Sequence, residues 1–288
     1  MTRPTAVIVG CGDLGTETGL RLVAEGWTVV GVRRSPDRLP IALHGVAAEL
    51  TGPLDGLAAA LPARIDGMVI TPAASERTEE AYRAVYLDAP QRLLEALDRN
   101  GRSPGRIIAV GSTAVHGNDD GSEVDEETPL APTTPTARVL AAAETALHEV
   151  RPDAISLRLA GLYGPGRTSL IEQVRRGEAV VPDRPVLTNR IHRDDAAAAI
   201  VHLLVHATEP SPVYLGVDHT PVDRGEVIRF LAAELGLPSP PVGAVTRRRG
   251  GNKRLRNDRL IGTGFRFTYP SYREGYRAVL AGEGVRHP

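Results

Sequence analysis

Apolar residues along this 288-residue chain recur in two alternating periods. Short β-branched runs give way to longer stretches whose apolar positions fall three and four apart, the spacings of a buried strand and an amphipathic helix. The first run, from Thr5 to Val9, leads into Gly10-Cys11-Gly12-Asp13-Leu14-Gly15. A helical pattern carrying Leu14, Leu20, Leu22 and Val23 follows until Gly26 stops it. Further strands are expected over residues 27–32, 46–50, 66–72, 106–110 and 154–159, with helices over 54–61, 75–100 and 136–151 between them. Such alternation predicts an α/β fold, a Rossmann doubly wound parallel sheet. Near residue 160 the regular alternation ends. Beyond it the pattern predicts helices over 169–176, 194–206 and 223–235 and a short strand over 213–217. The expected division is therefore a nucleotide-binding domain over 1–160 and a smaller C-terminal substrate-binding part over 161–288, interleaved with the last Rossmann elements.

The glycine turn carries the first chemistry. Gly10 permits a sharp turn after the strand, Gly12 lets a pyrophosphate approach the backbone, and Gly15 lets the helix pack close to the strand. Phosphates would lie on the unpaired N–H groups at the positive end of the helix, around Cys11, Asp13 and Leu14. The ribose end is read about 20 residues later, where an acidic side chain accepts from a 2′-hydroxyl and an arginine accommodates a 2′-phosphate. Here the second strand ends in Arg33-Arg34-Ser35, with no Asp or Glu. The guanidinium fork matches phosphate geometry, so NADP(H) is expected ahead of NAD(H); the alternative is a solvated arginine loop. Thr71 and Pro72 end the fourth strand, where open α/β sheets line the cofactor crevice.

Composition narrows the class. Lys plus Arg number 34 against 35 Asp plus Glu, so the balance gives no global pull towards nucleic acid or a membrane surface. One cysteine cannot form an internal disulfide, which suits a reducing compartment. No stretch is long and apolar enough to span a bilayer or serve as a signal peptide, and a cytoplasmic protein with a small-molecule substrate is expected. No His/Cys/Asp/Glu spacing reads as a metal site. Residues 246–254 are basic, a solvated loop or a cap for an anionic substrate.

Taken in order, Gly10-x-Gly12-x-x-Gly15, Gly111-Ser112-Thr-Ala-Val115-His116-Gly117, Asp125-Glu-Glu127-Thr-Pro-Leu130, Arg158-Leu-Ala-Gly-Leu-Tyr163-Gly164-Pro165-Gly166 and Asn189-Arg190-Ile-His192-Arg-Asp194-Asp195 resemble the extended short-chain dehydrogenase/reductases, in their NAD-dependent epimerase/dehydratase-like branch. The resemblance runs over about residues 5–235. It implies nucleotide-cofactor chemistry on small molecules, often nucleotide sugars, and homodimerisation through Rossmann helices. It also implies catalysis by a Ser/Thr with a Tyr-x-x-x-Lys pair on a helix, where the lysine lowers the phenol pKa. Ser112 matches the Ser/Thr. Thr136 and Leu140 stand where Tyr and Lys belong, and the only lysine is Lys253. The chain therefore resembles the atypical members that keep the fold and cofactor turn without the catalytic pair.

Two groups could substitute for the missing phenol. His116 lies four residues past Ser112 and titrates near neutrality, unless it is bonded within its loop. Tyr163 follows the sixth strand at the mouth, unless it packs in the core or under a lid. Arg190 and His192 match a segment that contacts substrate phosphates in nucleotide-sugar enzymes, or else lock a helix start near Asp194. Cys11 is read as a small residue in tight packing ahead of a helix-activated thiol. Two functions stay open: an NADP(H)-binding oxidoreductase or epimerase-like enzyme with a non-standard acid/base, and a catalytically inactive NAD(P)-binding redox sensor or regulatory module.

Overall fold

Strand β1 (Thr5–Val9) is buried from Ala6 onward, because its β-branched run has neighbours on both edges and both faces. The computed structural model describes residues 3–244 and 251–288. β1 pairs in parallel with β2 (Thr28–Arg33) on one side and β4 (Gly67–Ile70) on the other. β3 (His44–Ala47) extends the β2 edge, and β5 (Arg106–Ser112) extends the β4 edge. Strands Ile155–Leu159 and Val213–Gly216 complete a seven-stranded parallel sheet. In chain order its strands run 3-2-1-4-5-6-7, so the direction of winding reverses between β1 and β4. Ligands of open parallel sheets lie at that reversal, outside the carboxyl ends.

Helix Asp13–Ala24 packs on one face against helix Arg193–Val201. On the other face lie Asp55–Ala60, Ala89–Arg99 and Pro135–Val150, whose apolar sides meet β1, β4 and β5. Two cores, one on each face of the sheet, follow from this arrangement. A third core gathers Tyr163, Ile171, Val227, Phe230, Tyr272 and Tyr276 from helices Ser169–Arg175, Arg224–Glu234 and Tyr272–Leu280.

The expected strands and helices are present with shifted ends. The third strand begins two residues earlier than expected, at His44, where its half-exposed edge position removes the apolar signal. The helix expected over 75–100 starts at Glu79, capped by the Thr78 hydroxyl, and contains a π-helical stretch at Arg83–Asp88. The chain after residue 160 also returns to the sheet twice, through helix Arg193–Val201 and strand Val213–Gly216. Helix Tyr272–Leu280 has no counterpart among the expected elements, although its capping box of Ser271 and Glu274 is a readable start signal. Of the basic run over 246–254, residues 246–250 lie outside the described residues.

Gly10 ties the first turn to the fourth strand. Its φ is +82°, and a Cβ there would come within 2.6 Å of the Pro72 Cα and 2.8 Å of the Thr71 carbonyl oxygen. Both neighbours are backbone and cannot swing aside. Gly10→Ala is therefore expected to lower the free energy of unfolding by about 2–3 kcal/mol, read from urea denaturation. An unchanged midpoint would show that the Thr71–Pro72 segment yields freely.

Candidate functional site

Helix Asp13–Ala24 begins at Gly12, and no side chain caps it. A Cβ on Gly12 would meet only the Gly10 carbonyl oxygen, at 4.0 Å, so the space above the turn is open. A Cβ on Gly15 would instead lie 3.0 Å from the Ile8 side chain, the close strand–helix approach expected of the third glycine. An uncapped helix start beneath open space fits a pyrophosphate, because its first N–H groups have no intrahelical acceptor. Thr71 and Pro72 border the turn, with the Thr71 N–H donating to the Val9 carbonyl at 2.9 Å. The Cys11 thiol is fully buried, and burial pushes its pKa up to about 11; it packs the turn as a neutral group.

Asp13 introduces a carboxylate beside this anion site, and the fold surrounds it with donors. Arg193 Nη1 donates to it at 2.6 Å, Arg167 Nε at 3.2 Å and the His287 backbone N–H at 3.1 Å. The Arg193 side chain is wholly buried. His287 Nε2 also lies 2.9 Å from Glu17. At the end of β2, Arg33 Nη1 donates to the Pro288 carbonyl at 2.7 Å, whereas Arg34 is largely exposed, 3.9 Å from Glu49. Ser35 precedes a short 3-10 turn at Pro36–Arg38. The chain's last residues thus reach the end of β2, an arrangement with no signal in local sequence.

β5 delivers Ser112 to the carboxyl edge of the sheet, opposite Leu159. The Ser112 hydroxyl accepts from the Ala114 N–H at 3.2 Å and starts the turn Thr113–Val115. His116 follows, 1% exposed. Its Nε2 receives Arg158 Nη1 at 3.0 Å, and Arg158 Nε donates onward to Glu144 at 3.0 Å. Burial first, then the charges of Arg158 and Lys253, lower its pKa to about 4. The ring is therefore neutral at pH 7 and committed inside the loop. Lys253, the single lysine, is 1% exposed beneath the same turn. Its Nζ donates to the Thr113 carbonyl at 3.0 Å and to the His116 carbonyl, and burial lowers its pKa to about 8. Nothing in the local sequence announces that contact across 140 residues.

The phenol expected at the mouth is elsewhere. Tyr163 is 4% exposed inside the third core, stacked 4.6 Å from Tyr276, with its hydroxyl donating to the Ser271 carbonyl at 3.4 Å. Burial holds its pKa far above the usual phenol range. The turn after the sixth strand is roofed by helix Tyr272–Leu280, so the core packing open to Tyr163 is the one it adopts. His192 caps its own helix, its Nδ1 accepting from the Asp194 N–H at 3.2 Å. Asp195, in that helix's first turn, accepts from the Thr268 and Tyr269 N–H groups. Arg190 donates to Thr188 Oγ1 at 2.9 Å and lies over the Tyr272 ring, 5.7 Å from its centroid. Its Nη1 is buried without a partner among the described residues.

Beside Ser112 lies a largely apolar cavity of about 50 Å³, between the sheet and helix Pro135–Val150. Leu140, Glu144, Val115 and Pro72 line it, and so does Tyr86 from the π-helical stretch. Tyr86 carried no motif and is absent from the residues singled out in the sequence; its readable signal is only its place in the periodic helix after the fourth strand.

His116 gives the native state a pH dependence. In the unfolded chain the imidazole titrates near 6.5, in the fold near 4. Between these values the unfolded chain binds a proton that the native chain does not, so stability falls as pH drops from about 6.5 to 4. His116→Gln keeps an acceptor for Arg158 without titrating. Urea unfolding at pH 7 and pH 4 is expected to show the advantage of the natural chain over this variant shrinking by up to about 3 kcal/mol. An advantage constant across that range would refute a buried neutral His116.

Known proteins are similar to this chain over most of its length. The model of the NAD dependent epimerase/dehydratase family matches residues 6–216. Protein YeeZ of Escherichia coli (strain K12) is 33% identical over 274 residues, covering 91% of this chain and 95% of that protein. A Streptomyces antibioticus protein named "Probable dTDP-4,6-dihydroxy-2-methyloxan-3-one 4-ketoreductase" is 32% identical over 257 residues, covering 80% and 83%. The solved structure of MoeE5 in complex with UDP-glucuronic acid and NAD has a TM-score of 0.77 and 25% identity, over 95% of this chain and 96% of that one. From its opening glycine turn to its seventh sheet strand, the chain belongs to the NAD-dependent epimerase/dehydratase family.

Proposed function

We propose that the protein is an NADP(H)-binding, epimerase-like oxidoreductase that acts on the carbonyl or carbinol of a small substrate, phosphorylated or a nucleotide sugar. The observation that carries this reading is one juxtaposition. The open, uncapped turn at Gly12 and the hydroxyl of Ser112 lie at the same carboxyl edge of the sheet, on either side of the winding reversal. The first half of that edge holds a dinucleotide's phosphates, and the second presents a hydrogen-bonding group to a reacting oxygen. A bound nicotinamide supplies hydride chemistry there. Ser112 orients the substrate oxygen as donor, and Arg190 offers its unpartnered Nη1 to an anionic portion. The named 4-ketoreductase and the UDP-glucuronic acid complex support a nucleotide sugar as the substrate class. His116 and Tyr163, buried and bonded as described, serve as loop and core groups in this reading, and His192 as a helix cap.

The second reading is a catalytically inactive NAD(P)-binding sensor. It is favoured by Thr136 and Leu140, which stand where the family's proton donor and its cation belong. Turnover separates the two. Oxidation of NADPH is expected with a dTDP- or UDP-4-keto sugar, and Ser112→Ala is expected to lower kcat/KM about 100-fold or more, the cost of one positioned donor at a developing oxyanion. Tight, redox-selective cofactor binding without turnover of any panel member would select the sensor.

For the cofactor, Arg33, Arg34 and Ser35 support NADP(H) over NAD(H), since no acid is present at the end of β2 to receive a 2′-hydroxyl. Calorimetry is expected to show NADPH binding tighter than NADH, with Arg33→Ala removing about 1.5–3 kcal/mol of the preference. Equal affinities in the natural chain would refute the 2′-phosphate assignment.

A further inference from the structure

Reduction of a carbonyl needs a proton donor as well as a hydride, and the structure removes the obvious candidates one at a time. Thr136 lies beside the cap of its helix, its hydroxyl 3.4 Å from that of Thr134. Leu140 presents only carbon to the cavity. His116 is held by Arg158, and Tyr163 is roofed in the third core. Glu144, which does line the cavity, is spent on Arg158. Ser112 can donate, but a hydroxyl of ordinary acidity needs a partner to carry a proton through.

One phenol remains on the wall of that cavity. Tyr86 faces the same 50 Å³ space as Ser112, from a helical stretch that packs directly beside helix Pro135–Val150. The π-helical stretch Arg83–Asp88 that carries it is an expanded turn, a form that recurs at functional sites because it displaces side chains from their α-helical directions. The phenol is bonded by the Ala74 backbone, just past the Thr71–Pro72 segment that borders the phosphate turn. The hydroxyl thus lies at the end of β4, next to the strand that ends in Ser112. Burial raises its pKa, Tyr82 adds to that, and the Ala74 bond and the Arg77 charge oppose them.

We infer that Tyr86 is the proton donor of this site, a phenol presented from the neighbouring helix in place of the one that Pro135–Val150 lacks. The inference rests on the oxidoreductase reading. In the reductive direction the carbonyl carbon takes the hydride that the reduced nicotinamide supplies. The π pair moves to the carbonyl oxygen, that oxygen takes the Tyr86 proton, and water reprotonates the phenolate. Ser112 holds the same oxygen from the other side. A water needs roughly 10–15 Å³ of cavity volume, so the cavity of about 50 Å³ admits a carbonyl group beside the phenol.

The test uses Tyr86→Phe, which keeps the ring and deletes only the hydroxyl. With a 4-keto nucleotide sugar, kcat is expected to fall at least 100-fold, the lower range for losing a general acid, while KM and the NADPH dissociation constant change less than threefold. The pH profile of kcat should lose the limb that the phenol contributes. A second measurement needs no turnover: all seven tyrosines are replaced biosynthetically by 3-fluorotyrosine, and the Tyr86 resonance is identified by its absence from the Tyr86→Phe protein. Adding NADP⁺ is expected to shift that resonance. A kcat within threefold of the natural enzyme, or a Tyr86 resonance unmoved by saturating NADP⁺, would overturn the inference and leave the oxidoreductase reading intact. Loss of NADPH binding or of native stability in Tyr86→Phe would overturn it too, by showing a structural role. Absence of turnover in the natural protein, with the resonance shifting, would overturn the oxidoreductase reading and the donor role with it.

Discussion

The contact of Gly10 with the Thr71–Pro72 backbone governs this molecule. At the point where the sheet reverses its winding, the chain leaving β1 has to turn within one residue, pass under the end of β4 and start a helix. Only a residue without a Cβ does this at φ +82° with backbone 2.6 Å from where a Cβ would lie. The turn so made leaves Gly12 facing open space at the head of a twelve-residue helix. The helix dipole and its first N–H groups then form a concentrated positive end at the carboxyl edge of the sheet.

Electrostatics around that end are arranged in layers. Asp13 stands in the turn, where Arg193, Arg167 and the His287 N–H all donate to its carboxylate. Arg193 comes from the helix that packs across Asp13–Ala24, and His287 from the end of the chain. Residues far beyond the Rossmann strands therefore complete the first turn. The segment after residue 160 interleaves with the Rossmann part in this way: it returns a helix and a strand to the sheet and the last residue to Arg33.

At the end of β5, the following loop is held by buried charged side chains. Lys253 binds two of its carbonyls, Arg158 binds the His116 ring, and Glu144 completes the chain of contacts. These buried charges are each matched by a partner, the condition under which such groups are tolerated in an interior. They fix Ser112 at the rim and leave a mostly apolar cavity behind it, with Tyr86 on its wall.

Local sequence determined the strand–turn–helix start, the parallel sheet and the presence of Arg33 and Ser112 at strand ends. Each depends on periodicity or on a glycine's missing side chain within a few residues. Tertiary structure alone decided which side chains meet. His116 and Tyr163 read as acid/base candidates because their chemistry is visible in one letter, but their burial is set by Arg158, Lys253 and the Tyr272–Leu280 helix, up to 137 residues away. Tyr86 lies within the helix expected over 75–100 and carries no motif, because a π turn and a cavity are properties of packed neighbours and leave no mark on the spacing. A periodic pattern reports the face a residue turns to the core; what awaits it there depends on contacts that chain order does not contain.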